Sequence, residues 1–164
     1  MKKLFPLFVI LLFIFVSGCS RFDRSLRKKE ANKKVVLNYW ENFYNKKDLN
    51  KAFALFADSA VSWSNINPSP IIGAKAIGDY ERVFPEAFPD GHFKSEGIYA
   101  DGDFVTLRWY ADGTNTGALM DMPPTNKRVV VHGCTVYEVK NGKIQKMWDY
   151  WDYAGFMKQL HPEG

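Results

Sequence analysis

The pattern of apolar and polar positions divides the chain into a helical first half and a strand-rich second half. Over residues 32–45, apolar side chains recur at spacings of three and four, which predicts one amphipathic helix. Asp48 can cap a second short helix. A third helix is predicted from Ala74, with Pro85 bending or ending it, and a short strand is predicted over residues 60–63.

Beyond Asp90-Gly91 the pattern changes to strands separated by turns. Asn141-Gly142 favours a tight two-residue hairpin. The predicted strands are 92–99, 104–114, 127–139 and 143–153, followed by a short helix over 154–160. Helices first and an antiparallel meander afterwards indicate an α+β fold. A strongly curved sheet with helices across its open side would enclose a cone-shaped hydrophobic pocket.

The N-terminus has the layout of an export signal. Lys2 and Lys3 precede an uncharged run, Leu4 to Val16, whose thirteen residues are fewer than the roughly 20 that a membrane-spanning helix needs. The following Val16-Ser17-Gly18-Cys19 resembles the lipobox of bacterial lipoproteins. That resemblance implies a signal peptide over residues 1–18 and a lipid such as palmitate on Cys19. The alternative is an ordinary secretory peptide in which Cys19 is incidental.

The charge is unevenly distributed along the chain. The formal net charge is +4, but residues 19–34 hold seven basic and two acidic residues, whereas residues 35–164 hold thirteen basic and sixteen acidic ones. The first segment suits a linker beside anionic lipid headgroups. The second is the right length for one domain, and its mild acidity argues against a nucleic-acid partner. We therefore expect a lipid-anchored protein of the bacterial cell envelope, with its domain outside the cytoplasm.

Cysteine and histidine usage predicts neither a disulfide nor a metal site. With Cys19 lipidated, only Cys134 remains, and it lies in an apolar, β-branched run typical of a buried small residue. The three histidines lack ligand spacing, and there is no cysteine pair or glycine-rich phosphate loop. No metal or cofactor is expected.

The last hairpin carries the candidate chemistry. If Lys140 pairs with Lys143, counting back places Cys134 opposite Asp149 and makes His132 a diagonal neighbour of Asp149, unless a bulge shifts the register. An aspartate among aromatic side chains loses hydration, and its pKa rises towards the range useful for proton transfer. The candidate catalytic residues are Asp149, Asp152 and His132, although each aspartate also has a purely structural alternative as a solvated or capping residue. The tryptophans would supply the pocket wall: Trp40, Trp63, Trp109, Trp148 and Trp151.

Several stretches in the second half resemble the SnoaL-like polyketide cyclase, or ester cyclase, branch of the nuclear transport factor 2-like superfamily. They are residues 113–117 (Gly-Thr-Asn-Thr-Gly), 123–127 (Pro-Pro-Thr-Asn-Lys), 142–144 (Gly-Lys-Ile) and the spacing of Trp148 to Asp152. The resemblance implies a cone-shaped α+β fold and ring closure by aldol chemistry without a cofactor, with an aspartate as general acid/base. Asp152 matches the family's Trp-x-x-x-Asp. The chain departs from the family at Asn115, Thr135 and Glu138, where histidine, aspartate and arginine are common.

Two functions follow from this resemblance. The first is a pocket protein for a small apolar or aromatic ligand, with cyclase- or isomerase-like proton abstraction next to a carbonyl. The second is a non-catalytic envelope module that binds a partner or forms a homodimer through the outer face of its sheet.

Overall fold

The computed structural model describes the backbone of residues 5–161 and the side chains of residues 23–161. The first helix, α1 (Phe5–Trp40), continues into a π-helical turn (Glu41–Asn45). The helix predicted over residues 32–45 is therefore confirmed, and it extends through the basic segment before it. Residues 1–4 and the Cys19 side chain lie outside the described part, so the signal peptide and the lipid stay predictions. No helix within the described residues is long and apolar enough to cross a membrane.

Four shorter helices follow, and two of them begin at an aspartate. Asp48 caps α2 (Leu49–Phe53) by accepting from the Lys51 backbone N–H at 3.1 Å, as predicted. The third predicted helix is divided into α3 (Ala74–Glu81) and α4 (Val83–Ala87). The break comes before Pro85, which lies in the first turn of α4, where backbone N–H groups have no partner within the helix. The last helix is α5 (Tyr153–Leu160).

Six strands form one curled, unclosed sheet in the order β2-β1-β6-β5-β4-β3. Strands β3 to β6 make the predicted antiparallel meander, whereas β1, which is longer than predicted, joins β6 in parallel. The α+β class is confirmed. The strands are β1 (Phe56–Ser64), β2 (Ile71–Ile72), β3 (His92–Asp101), β4 (Phe104–Thr114), β5 (Arg128–Lys140) and β6 (Lys143–Trp151).

The register of the last hairpin changes partway along its strands. Asn141 and Gly142 have φ values of 53° and 72°, and they join Lys140 to Lys143 as predicted. A bulge then shifts the pairing between Glu138 and Val139. Beyond it Thr135, not Cys134, is opposite Asp149, so the predicted register is wrong for this part of the hairpin. Because side chains alternate across a strand, a slip of one residue exchanges which partners share a face.

The main core lies between α1 and the concave face of the sheet. Val36, Tyr39 and Phe43 are at most 2 % exposed and pack with sheet residues that include Leu107 and Tyr137. Burying each such large side chain contributes about 1.5–3 kcal/mol. A second, smaller cluster lies beneath α5: Ala87, Phe88, Leu119, Val129, Phe156 and Leu160. These two clusters hold the helices over the sheet while leaving a gap between them.

Candidate functional site

A cavity of about 90 Å³, lined by many aromatic side chains, lies between the helices and the concave face of the sheet. Beside it lies an open groove of about 480 Å³, and five side chains line both spaces: Ile66, Tyr80, Phe84, Trp151 and Phe156. The cavity walls are mostly aromatic or aliphatic, including Tyr39, Trp40, Tyr44, Phe88, Trp109, Val129, Val131 and Met147. In such apolar surroundings, the few polar groups present fix the orientation of a bound ligand and supply specificity.

Asp149 on β6 is one of these polar groups, and it is held in place from the neighbouring strands. The buried hydroxyl of Thr135 on β5 donates a hydrogen bond to Asp149 Oδ1. The indole N–H of Trp109 on β4 donates in turn to Thr135 Oγ1 at 2.8 Å. The result is a relay from Trp109 through Thr135 to the carboxylate. No hydrogen bond from a described side chain to Asp149 Oδ2 accompanies the one that Oδ1 accepts.

The position of Trp109 depends on the glycine opposite it in the sheet. Trp109 pairs with Gly133, and a Cβ atom at Gly133 would lie 2.1 Å from the indole ring. A glycine is therefore needed there for the ring to lie across the β5 backbone and reach Thr135. A separate hydrogen bond links α1 to the sheet, since Trp40 Nε1 donates to the hydroxyl of Tyr137 at 2.7 Å.

Burial raises the pKa of Asp149 from its ordinary 3.8 to about 6. Loss of hydration disfavours the charged carboxylate, and the Thr135 hydroxyl, with the Trp109 indole N–H behind it, offsets only part of this cost. At neutral pH the side chain is thus ionised but is a stronger base than an exposed aspartate.

A second carboxyl group lines the same cavity, and the sequence reasoning missed it. Glu81 is the last residue of α3, and its pKa rises from 4.5 to about 8, first because of burial and then because of the nearby charge of Asp149. It is partly buried, and no described side chain forms a hydrogen bond or ion pair with it. The signal was in the sequence: Glu81 follows the buried Ile77 by four residues and precedes Phe84 by three, so it lies on the inward face.

The five tryptophans divide between the two sides of the sheet. Trp40, Trp109 and Trp151 line the cavity. Trp63 and Trp148 do not; they are paired across β1 and β6 and stack on each other with ring centroids 5.2 Å apart. Their predicted place in the pocket wall is corrected because strand parity directs Trp148 to the face opposite that of Asp149.

The other two candidate catalytic residues lie away from the cavity. Asp152 accepts from the Gly155 backbone N–H at 2.8 Å and so caps α5; it lines only the open groove. His132 is exposed and lies 3.4 Å from Glu96. The predicted pairing of His132 with Asp149 is therefore wrong, because the bulge in the last hairpin leaves these residues on opposite faces. Within residues 23–161, no group of three or more His, Cys, Asp or Glu side chains could hold a metal ion.

Comparison with known proteins identifies the family to which this chain belongs. The family model for SnoaL-like polyketide cyclases matches residues 34–160. The chain belongs to this family. A protein from Jannaschia sp. CCS1, assigned as a SnoaL-like polyketide cyclase, has a TM-score of 0.77 at 19% identity, with 84% of this chain and 96% of that chain covered. No curated protein matches the sequence.

Two further solved structures share the fold of this SnoaL-like domain. IdmH from Streptomyces antibioticus, assigned as a polyketide cyclase, has a TM-score of 0.68 at 23% identity and covers 79% of this chain and 97% of its own. An epoxide hydrolase of the LEH-like type from M. tuberculosis has a TM-score of 0.63 at 22% identity, with 81% and 91% covered. At these identities the likeness shows the fold alone.

The three positions that the sequence resemblance marks as departures from the family pattern have distinct local roles. Asn115 is buried, accepts from the backbone N–H and hydroxyl of Thr125, and donates to the Gly117 carbonyl, so it holds the loop between β4 and β5. Thr135 is the donor to Asp149. Glu138 forms ion pairs with two lysines, at positions 140 and 146. Of the three, only Thr135 forms a hydrogen bond with Asp149.

Proposed function

We propose that this SnoaL-like domain binds a small apolar or aromatic carbonyl compound and removes a proton from the carbon next to the carbonyl. Asp149 is the general base, and the chemistry is that of a cofactor-independent cyclase or isomerase. The observation that carries the proposal is a single ionised carboxylate, of raised pKa, held by the Thr135 and Trp109 relay inside an aromatic cavity.

The basicity and position of Asp149 suit this reaction. A general base works best when its pKa lies near the working pH, because it is then both ionised and a good proton acceptor. A pKa of about 6 brings Asp149 close to that condition. Thr135 holds Oδ1, so Oδ2 is the oxygen that would receive the proton from carbon.

The dimensions of the two spaces limit the ligand. One water needs about 10–15 Å³ of such space, so the 90 Å³ cavity accommodates a group about the size of one substituted ring. The remainder of a larger ligand would extend past Phe84 and Trp151 into the 480 Å³ groove. We infer a ligand that places its reacting ring or chain inside the cavity and its other end in the groove.

Proton abstraction can be tested with 2-tetralone, a bicyclic ketone with acidic C–H bonds beside its carbonyl. The purified protein in D₂O should catalyse hydrogen–deuterium exchange at that carbon, measured by proton NMR. Asp149→Asn should lower the catalysed rate by about 10²–10⁴-fold, the usual contribution of a positioned base. The matched control is Asp58→Asn, which changes an exposed aspartate that lines neither the cavity nor the groove and should exchange at the parent rate. Equal rates in parent and Asp149→Asn would refute the assignment of the base.

We also propose that a lipid on Cys19 anchors the domain to a membrane of the bacterial envelope, on the side away from the cytoplasm. The support is the arrangement of the first nineteen residues. In a bacterial host the parent should incorporate labelled palmitate and fractionate with membranes, whereas Cys19→Ser should do neither. The control is Ser20→Ala, which should behave as the parent does. A labelled, membrane-bound Cys19→Ser variant would contradict the anchor.

A non-catalytic module is the second candidate, and the outer face of the sheet is the observation that favours it. Beside the Trp63–Trp148 stack, Tyr150 and Phe104 are 54 % and 49 % exposed. Exposed aromatic patches of this kind mark interaction surfaces. Sedimentation of the purified protein over a range of concentrations tests self-association, and Tyr150→Ser should weaken it. A monomer at all concentrations would exclude the homodimer.

A further inference from the structure

We propose that Glu81 is the acid that binds the carbonyl oxygen of the ligand and protonates it while Asp149 removes the proton from carbon. This inference rests on the proposed function and extends it to a residue that the family resemblance did not indicate. It assigns the site a pair of carboxyl groups with opposite roles, one from the sheet and one from the helical layer.

The geometry of Glu81 is the first support. It ends α3 on the face that also holds the buried Ile77, and it lines the same cavity as Asp149. The other charged residues of that helix segment point elsewhere: Asp79 forms ion pairs with Lys75 and Arg82, and all three are largely exposed. Glu81 is thus the charged residue of α3 that lines the cavity.

The absence of a partner is the second support. No described lysine, arginine or histidine forms an ion pair with Glu81, and no described side chain hydrogen-bonds to it. A charged carboxylate in an apolar wall without such partners is costly, so the group retains its proton. A protonated carboxyl is an O–H donor, whereas a carboxylate only accepts. Glu81 therefore offers the cavity a donor for a carbonyl oxygen.

The protonation states of the two carboxyl groups agree with these roles. The pKa of Glu81 is raised to about 8, mainly by burial and further by the charge of Asp149, whose own pKa is about 6. Near pH 7, Asp149 is ionised and Glu81 is protonated. Environments that separate two pKa values in this way assign one group as base and the other as acid.

Several other titratable side chains lie around the cavity. Burial raises the pKa values of four tyrosines that interact electrostatically with Glu81, so they stay protonated near neutral pH: Tyr39 on α1, Tyr44 in the π-helical turn, Tyr80 on α3 and Tyr137 on β5. The cavity lining also includes Lys47, His92 and Asp112. From β1 it includes Ser64, which does not ionise. Comparison of the parent with Glu81→Gln therefore assigns a pH response between 7 and 9 to Glu81.

The proposed step balances without a further reactant. The C–H bond beside the carbonyl breaks, its proton goes to Asp149, and its electron pair forms the carbon–carbon double bond of an enol. The carbonyl oxygen takes the proton of Glu81, which becomes a carboxylate. If the ketone carries a further carbon–carbon double bond conjugated with the enol, the Asp149 proton returns to the far carbon of that bond, the double bonds shift, and the enol proton returns to Glu81, which completes an isomerisation. In a simple ketone both protons return to their original atoms, which gives exchange alone. The ligand class is therefore a ketone, or a similar carbonyl compound, that spans the two carboxyl groups.

Exchange of 2-tetralone in D₂O tests the catalytic part of this proposal. Glu81→Leu, which removes the donor, should lower the rate by about 10²–10³-fold, the usual effect of losing one donor to a developing oxyanion. Glu81→Gln keeps an N–H donor but has no acidic proton, so its rate should fall between those of the parent and Glu81→Leu. The matched control is Glu86→Gln on the exposed side of α4, with the parent rate expected. Parent-like exchange by Glu81→Leu would overturn the proposal while leaving Asp149 as the base.

Binding of 2-naphthol, an aromatic analogue of the enol, gives a readout independent of catalysis. If only the protonated form of Glu81 binds its oxygen, a pKa of about 8 makes the parent's Kd rise about tenfold from pH 7 to pH 9. Glu81→Gln should show the smaller change caused by naphthol ionisation alone. Should the parent fail to exchange 2-tetralone, the proposed function fails for that ketone, and this profile decides the role of Glu81 by itself. Identical pH profiles for parent and Glu81→Gln would overturn it.

Discussion

Replacement of Asp149 by asparagine should change how the stability of the protein depends on pH. The pKa of Asp149 is about 6 in the folded protein and about 3.8 in the unfolded chain. Between these pH values the folded state binds more protons than the unfolded state does. The free energy of unfolding therefore decreases as pH rises from about 4 to about 6, and it changes little from this source above or below that range.

The size of this effect follows from the two pKa values. The difference between about 6 and 3.8, at about 1.36 kcal/mol for each pH unit, amounts to about 3 kcal/mol. Asparagine cannot ionise, and its carbonyl oxygen can still accept from Thr135. The Asp149→Asn variant should thus gain about 2–3 kcal/mol relative to the parent between pH 4 and pH 7. The part of the Glu81 contribution that comes from burial cancels because both proteins contain it, whereas the part caused by the charge of Asp149 is absent from the variant and adds to the gap.

Urea denaturation at several pH values, followed by tryptophan fluorescence, measures this gap. The control is Asp152→Asn, in which asparagine can still cap α5 and Asp149 is unchanged. That variant should lose stability between pH 4 and pH 6 as the parent does. A constant gap between parent and Asp149→Asn from pH 4 to pH 7 would show that the carboxylate is well solvated, and the reasoning about its basicity would be wrong.

Three further substitutions test the surroundings of the site. Thr135→Val removes the donor to Asp149 and leaves the Trp109 N–H without an acceptor. The pKa of Asp149, measured by carboxylate NMR, should rise further. The free energy of unfolding, measured in urea, should fall by about 1–3 kcal/mol. Gly133→Ala places a Cβ against the Trp109 ring, so we expect a loss of at least about 1–3 kcal/mol and a lower thermal midpoint; an unchanged midpoint would contradict the tight approach. Trp148→Ala should lower stability through loss of the outer stack but leave the Kd for 2-naphthol unchanged, whereas a weakened Kd would place that ring at the cavity.

Much of the fold could be predicted from short-range features of the sequence. The Asn141-Gly142 turn requires positive φ values that these residues adopt readily, and it forms as predicted. The cap at Asp48 depends only on neighbours within three residues. The helix over residues 32–45 follows from its apolar spacing. The expectation of a pocket beneath the helices follows from the family resemblance, because the resemblance implies a cone-shaped α+β fold.

The candidate site was predicted only in part. Asp149, Trp40, Trp109 and Trp151 do line the cavity, but the two outer tryptophans and His132 do not. Glu81 was overlooked because a charged residue in an otherwise polar helix segment is usually solvated. Its position on the inward face could be read from the spacing to Ile77, whereas the lack of a partner could not.

Local features of the amino-acid sequence are enough to predict the order of the elements and the two-residue turn, and they show two aspartates among aromatic side chains. Which aspartate faces the cavity depends instead on how the strands pair in three dimensions. One extra residue in the last hairpin reverses the face of every side chain beyond it relative to the partner strand, and the closing helix takes Asp152 as its cap. The pKa values of Asp149 and Glu81 likewise depend on groups far apart in the chain, because burial is a property of the assembled cavity and not of any local segment.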